Sequence, residues 1–497
     1  MGGFFGVVSK NSENCITHLY YGTDYHCHLG TRRGGMATCN GSNYTRVIHD
    51  ISNTQFRSKF DDDISKFNGK TGIGVISDYE DQPLIIRSHL GIYAIITVGH
   101  IANTAELTRN AFDKRSVHFS EMSGDGLNPT ELTSMLINQG ENFEQGIINA
   151  QEQIEGSSSM LIMTPKGIYA VRDRLGRTPV IIGKGENGYA ITMETCAFYN
   201  LDYEVVKELG PGEVVFISQD GVEQRIAPQE NMQMCSFLWI YYGYPASDYE
   251  GINVEHSRYR CGAALARREK VDVDFVAGIP DSGIAHALGY AQKANLSYSR
   301  PFVKYTPTWA RSFTPQNQSV RELVAKMKLI PIKKLTSDKK ILFCDDSIVR
   351  GTQLKDTLQR LYNYGAREIH MRPACPPLLF GCKFLNFSRS KSEDDLATRK
   401  VIKEIEGSNN FPIEEYVDET SDRYHNMIET IRKKMGLTSL IYQNLQDMIE
   451  AINLPAEKLC TYCWTGCEKK IIKTKTTQNS KMKGGMSPCQ RELTLKK

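Results

Sequence analysis

The run Ile341-Leu342-Phe343-Cys344-Asp345-Asp346-Ser347-Ile348-Val349-Arg350-Gly351-Thr352-Gln353 carries the densest chemistry in the chain. An apolar stretch of strand type ends in two acids, and a hydroxyl- and glycine-containing turn then opens a helix. Successive backbone N–H groups at a helix N-terminus hold a phosphate monoester well, and Gly351 permits its close approach. Ser347 and Thr352 add hydroxyl donors, and Arg350 supplies a positive neighbour. Two adjacent carboxylates repel phosphate, but they suit ribose hydroxyls or a hard cation such as Mg²⁺. The combination describes a sugar phosphate held with a metal. Capping of a helix would account for an isolated Asp-Asp-Ser, though not for the whole run. A second loop, Gly278-Ile279-Pro280-Asp281-Ser282-Gly283, also precedes a helix and offers backbone donors and Ser282 to an anion.

The elements around these loops follow from residue pattern. After about Cys235 the order strand, loop, helix, strand indicates a parallel sheet. Phe275–Gly278 leads through Ile279–Gly283 into a helix at Ile284–Lys293, and Lys340–Cys344 leads through Asp345–Thr352 into a helix at Gln353–Tyr364. Both polar loops then lie at the C-terminal edge of one sheet, where open α/β sheets place their ligands. Between about Leu90 and Ser218 the chain reads instead as short β-rich runs (Gly91–Thr97, Met160–Met163, Gly167–Val171, Val180–Gly183, Gly188–Thr192, Glu213–Ile217) joined by turns. That pattern predicts a largely antiparallel sheet domain, with helices near Ser9–Thr23 and Asn128–Gly140. Ser388–Met435 is charged and helical in pattern, which predicts a peripheral insertion.

A chain of 497 residues calls for several domains. Its 40% hydrophobic and 24% charged residues are those of a globular protein, and no apolar run approaches the roughly 20 residues of a membrane span. No export or lipid signal is visible at the N-terminus, so a cytoplasmic location is expected. The net charge of +3 is too small to argue for nucleic acid, and Lys469–Lys497 holds nine Lys or Arg against Glu492 alone. A basic, disordered tail is expected there. Thirteen cysteines without an export signal indicate reduced thiols, some available to a metal.

The thirteen-residue run resembles the phosphoribosyl pyrophosphate (PRPP) signature of type I phosphoribosyltransferases. With the second loop included, the chain resembles the glutamine PRPP amidotransferase (amidophosphoribosyltransferase) family from Gly3 to about Gly466. The resemblance is carried by Cys235–Tyr242, Gly278–Ala291, Arg311–Leu329, Ile341–Thr352, Val171-Arg172-Asp173 and Glu194-Thr195-Cys196-Ala197. It implies an N-terminal nucleophile hydrolase-type αββα domain (2–234) followed by a type I phosphoribosyltransferase domain with a parallel sheet (235–467), with the insertion at about 388–436 and the tail at 468–497. It also implies that Asp345 and Asp346 bind ribose hydroxyls and Mg²⁺, and that Ser347, Ile348, Val349, Arg350, Gly351 and Thr352 bind the 5′-phosphate. Asp281, Ser282 and Gly283 would lie at the metal and pyrophosphate, and Arg311 in a loop closing over PRPP, with Lys304 and Lys328 near it. The implied reaction is displacement of pyrophosphate from C1 by ammonia, giving 5-phosphoribosylamine, the first committed step of purine synthesis.

The chain departs from that family at the other reaction. Its glutaminases begin the mature chain with Cys, whereas Gly2 stands here and can form no thioester. The family's arginine for the glutamine carboxylate is missing from Gly72-Ile73-Gly74-Val75-Ile76-Ser77-Asp78. The Asn-Gly of its oxyanion hole is Val98-Gly99, while Asp125, the partner of the substrate amine, remains. Loss of glutaminase activity is therefore expected, with free ammonia or an ammonia-delivering protein as the nitrogen source. Some family members carry a four-cysteine iron–sulfur cluster, and Cys235, Cys382, Cys460 and Cys463 stand at the matching places. A [4Fe–4S] cluster is expected, with zinc as the alternative and Cys375 and Cys467 as competing thiols. The resemblance also implies a homodimer or homotetramer. The competing functions are a non-catalytic regulatory paralogue binding PRPP or purine nucleotides, and a base phosphoribosyltransferase.

Overall fold

The computed structural model describes residues 2–10, 14–113, 119–123, 126–305, 329–385 and 393–468. Two antiparallel sheets face each other in the N-terminal half. The seven-stranded sheet runs, edge to edge, through Glu204–Glu208, Ile181–Gly185, Gly188–Thr192, Gly3–Ser9, Thr71–Ser77, Arg33–Asn40 and Asn43–Asp50. The six-stranded sheet runs through Val222–Ile226, Val214–Ile217, Gly167–Val171, Gly156–Thr164, Gly91–Ile101 and Leu84–Ser88. The helix Ile16–Asp24 packs on the first sheet, and Pro129–Ile137 packs on the second. A Cβ on Gly74 would lie 2.0 Å from Thr23 Oγ1, so the absence of a side chain there lets the first helix settle onto its sheet. Asn128 caps the helix Pro129–Ile137 by accepting from the Thr130 N–H, with Pro129 in the first turn.

The central strands are apolar without a break because both faces are buried. Along Gly91–Ile101, Ala94, Ile96 and Val98 face the core between the sheets, whereas Tyr93 and Ile95 face the helices. Leu161 and Met163 alternate with Met160 and Ile162 in the same way. The expected helix near Ser9–Thr23 is corrected at its start, since Ser9 ends the first strand and the helix begins at Ile16.

The C-terminal half is built on a parallel sheet in the order Phe275–Gly278, Lys340–Asp345, Glu368–Pro373, Ser439–Leu440. Alternation again serves two faces. Leu342 and Cys344 pack with the helices Val254–Arg268 and Ile284–Ala294, while Ile341 and Phe343 pack with the helix Thr352–Asn363. The charged segment expected to be peripheral is a layer of this half. Its helices Ala397–Glu406 and Asp422–Met435 send Val401, Ile402, Met427 and Ile431 into the core against the sheet. Charge dominates its sequence because the outward faces of these amphipathic helices are solvated. One apolar core runs from Phe4 in the first sheet to Leu342 in the parallel sheet, so the two halves share an interior. No helix among the described residues is long and apolar enough to cross a membrane.

Candidate functional site

The parallel pairing of Gly278 with Cys344 brings both polar loops to one sheet edge. Ser282 Oγ donates to Asp345 Oδ1 at 3.4 Å, and the Asp346 N–H donates to the same oxygen at 2.9 Å. Ser347 Oγ donates to Asp346 Oδ2 at 2.6 Å. Asp345 and Asp346 are 8% and 7% exposed. Burial, and then the neighbouring Asp346 charge, pushes the Asp345 carboxyl well above the ordinary carboxylate range. Such a pair welcomes hydroxyl donors or a cation. A Cβ on Gly283 would sit 2.3 Å from the Cys344 carbonyl oxygen, so this close approach of the loops requires glycine. Gly351, with φ +73°, starts the helix Thr352–Asn363 from the left-handed region.

Asp281 is paired with Lys304, which stands at the end of the strand Phe302–Lys304. Arg350 is half exposed beside the phosphate turn, with Nη2 3.9 Å from Asp395 Oδ2. Ile348 is buried in the core of this half, so its backbone is the part available to a ligand, and Val349 is partly buried. Arg311, Lys328 and Asp125 lie outside the described residues, as do the Thr352 side chain and the basic tail. One residue that sequence reasoning missed is Arg258, which is 4% exposed within electrostatic reach of Asp346. Its guanidinium donates to the carbonyls of Trp239 (3.0 Å), Tyr241 (2.9 Å) and Gly243 (2.8 Å). Nothing in its local sequence separates it from the surface arginines of the same helix.

A second pocket lies in the N-terminal half. Gly2, Ser77, Glu80, Thr97, Val98, Gly99, His100, Ser157 and Ser158 contribute to its wall. The positions at which the chain departs from the glutaminase pattern, Gly2, Ser77 and Val98, thus share one cavity. Ser77 is buried and donates through Oγ to the Glu80 carbonyl at 2.7 Å. A Cβ on Gly2 would lie 2.2 Å from the Ile76 carbonyl oxygen. Glu80, Ser157 and Ser158 were missed from the sequence because they come from segments remote from Gly2.

The cysteines Cys235, Cys382, Cys460 and Cys463 line a third cavity, together with Arg177, Phe237, Phe384 and Trp464. The short strands Met234–Cys235 and Leu459–Cys460 pair in parallel, setting Cys235 opposite Cys460. Arg177 Nη1 donates to Cys460 Sγ at 3.2 Å, and the Phe384 and Leu385 N–H groups donate to Cys382 Sγ at 3.4 Å each. A hydrogen bond from the Cys463 thiol, helped by these backbone donors, holds the Cys382 thiol below its ordinary value, at about 6. Cys375 is buried outside this lining, as Cys467 also stands outside it. Among the described residues, no group of three or more His, Cys, Asp or Glu is drawn together tightly enough to hold a metal ion, these cysteines included.

Fold and site together define a phosphoribosyltransferase joined to an amidotransferase-type sandwich. Residues 71–200 match the family model described as a glutamine amidotransferase domain. The amidophosphoribosyltransferase of Bacillus subtilis is 30% identical over 415 residues, covering 81% of this chain and 85% of that protein. The enzyme of the same name from Methanocaldococcus jannaschii is 29% identical over 493 residues, covering 94% and 97%. The solved structure of glutamine PRPP amidotransferase from B. subtilis, complexed with ADP and GMP, matches with a TM-score of 0.79 at 26% identity, covering 96% of this chain and 99% of that one. The chain belongs to the amidophosphoribosyltransferase family.

Proposed function

We propose that this protein forms 5-phosphoribosylamine from PRPP with release of pyrophosphate, and that it takes its nitrogen from free or delivered ammonia rather than from glutamine. The observation that carries the first part is the convergence of Ser282, Asp345, Asp346 and the Ser347–Gly351 turn at one sheet edge. In this reading the turn and the first backbone N–H groups of the following helix hold the 5′-phosphate. Asp345 and Asp346 accept the ribose hydroxyls and orient C1, and the Asp281–Gly283 loop receives the pyrophosphate. Arg311 belongs to the segment that covers the site and excludes water.

The oxygen donors of Asp345, Asp346 and Ser282 fit Mg²⁺, which would lower the charge on the departing pyrophosphate. The family resemblance favours an iron–sulfur cluster over one zinc ion at the four cysteines, which line one cavity, with the sulfurs of Cys460 and Cys382 accepting N–H donors. Cys235, Cys382, Cys460 and Cys463 would hold such a cluster as a structural tie between segments distant in sequence. We place the boundary between the two functional halves at 234/235.

The loss of glutamine hydrolysis rests on Gly2, Ser77 and Val98, which leave the pocket without a nucleophile, a carboxylate anchor or the side-chain oxyanion donor. The test is pyrophosphate release by anaerobically purified protein with PRPP and Mg²⁺, given ammonium, glutamine or no donor. Turnover with ammonium alone supports the proposal. Turnover with glutamine refutes its second part, and no turnover with any donor refutes the first. In that last case a PRPP-binding regulatory protein becomes the reading, favoured by the altered second pocket. Iron and acid-labile sulfide analysis decides between cluster and zinc.

A further inference from the structure

A single turn of π-helix, Leu238–Tyr242, follows the cysteine-cavity residues Cys235 and Phe237 and is closed by the Gly243 N–H, which donates to the Leu238 carbonyl at 2.7 Å. Wide turns of this kind are rare and recur at functional sites. Tyr242 lies within electrostatic reach of Cys382 on one side and of Asp346 on the other. One turn leaves its later carbonyls without partners inside the helix, and two buried side chains supply the donors. Arg258 donates through Nε to the Trp239 carbonyl and through Nη2 to those of Tyr241 and Gly243. His286 Nε2 donates to the Ile240 carbonyl at 3.2 Å, from the first turn of the helix Ile284–Ala294 that opens directly after the Asp281–Gly283 loop. Burial, and then the Arg258 charge, lower His286 to about 3, so its ring is neutral and Arg258 supplies the charge of this brace. The carbonyls satisfy the donors of the guanidinium without neutralising it, and burying a cation is costly. The strongest attraction that Arg258 feels comes from Asp346, ahead of Glu255 and Glu194. A brace for carbonyls needs only N–H donors, so a permanent charge kept buried at this place calls for a second role.

We propose that Arg258 is a positioning residue for the PRPP reaction: its charge, fixed in place by three carbonyl bonds, holds the Asp346 carboxylate in the orientation that meets a ribose hydroxyl. The inference rests on the PRPP reading of that site and adds to it a residue that acts through Asp346. The same helix carries a matched control. Arg260 also braces carbonyls, donating through Nε to Ala451 at 2.7 Å and through Nη2 to Ile452 at 3.1 Å, but burial alone perturbs it.

The test is titration of the full chain with PRPP and Mg²⁺ under anaerobic conditions, beside thermal unfolding of each variant. Arg258→Gln, which removes the charge, is expected to raise the Kd for PRPP by about tenfold or more. Arg258→Lys keeps a charge at a displaced point and should raise it by about three- to tenfold. Arg260→Gln should change it by less than about twofold, although all three variants lower the melting temperature. In an Asp346→Asn background the group to be held carries no charge, so adding Arg258→Lys should change the Kd by less than about twofold. That comparison decides the matter even where Arg258→Gln does not fold. Equal weakening by Arg260→Gln, or an Arg258→Lys effect undiminished in the Asp346→Asn background, identifies a clamp for the fold alone and overturns the inference. Wild-type binding of PRPP with unchanged affinity in the Arg258 variants sinks this inference and leaves the PRPP reading standing, whereas a wild type that binds no PRPP sinks both.

Discussion

Under the proposed loss of glutamine hydrolysis, Gly2→Cys restores the family's nucleophile in name only and is expected to fail, and the structure gives the size of the failure. An ideal Cβ at position 2 falls 2.2 Å from the Ile76 carbonyl oxygen and 3.3 Å from both Ile76 C and Ser77 Cα. All of these are backbone atoms, so no rotamer relieves the contact. Reaching an ordinary separation requires the end of Thr71–Ser77 to move by about 1 Å, while Gly3 is paired with Ile76 in the neighbouring strand. Overpacking of this kind costs about 1–3 kcal/mol. At about 2–4 °C per kcal/mol for a domain of this size, the melting temperature should fall by roughly 2–12 °C. Ser77 and Val98 would still leave the substrate carboxylate and the oxyanion without side-chain partners. The assay pairs thermal unfolding with glutamate release from glutamine. A variant as stable as the parent, or one that hydrolyses glutamine, would refute the reasoning, because it would mean that strand and pocket have kept the shape a nucleophile needs.

Four further outcomes follow from the same geometry. Asp345→Asn and Asp346→Asn each remove charge-assisted hydrogen bonds worth about 1.5–3 kcal/mol to a ribose hydroxyl, so PRPP affinity by titration should drop tenfold or more, and an unchanged affinity counts against the site. Gly283→Ala drives a methyl group to 2.3 Å from the Cys344 oxygen and should weaken PRPP binding by parting the two loops, with the fold retained by circular dichroism. Burial lowers His26 from 6.5 to about 4 and His286 from 6.5 to about 3. Their folded pKa values lie below the unfolded ones, so stability is full above about pH 6.5 and is lost as pH falls, by up to about 3 kcal/mol for His26 near pH 4; a denaturation series from pH 7 to pH 4 showing no decline contradicts this. Arg177→Ala removes the donor to Cys460 Sγ and the cation stacked 3.4 Å above the Phe384 ring, so iron and sulfide content per chain should fall if the cluster reading holds, and stability should fall even if it does not.

What could be read from the sequence divides along the line between local and assembled features. The phosphate turn was legible because its parts, two acids, a small hydroxyl, a positive-φ glycine and a helix start, are contiguous, and one βα unit imposes their geometry. The cysteine set was legible in part, since Cys460 and Cys463 share one turn of chain, but only pairing of Met234–Cys235 with Leu459–Cys460 sets Cys235 opposite Cys460. The ends of Ala397–Glu406 and Asp422–Met435 were hidden in charge, because a helix that lends a narrow stripe to a core shows mostly its solvated face. Glu80, Ser157, Ser158 and Arg258 carried no sequence signal. Each is an ordinary residue in its own segment, and only the fold brings it to a pocket wall or within reach of Asp346. Gly2 shows the same division within one position. Its identity announces a missing thiol, but only the Ile76 carbonyl at 2.2 Å shows that the space for a side chain has closed as well. A missing nucleophile alone leaves a pocket one substitution from repair. Under the proposed loss of glutamine hydrolysis, the closed space at Gly2 and the missing side-chain anchor at Ser77 would each have to be reversed as well.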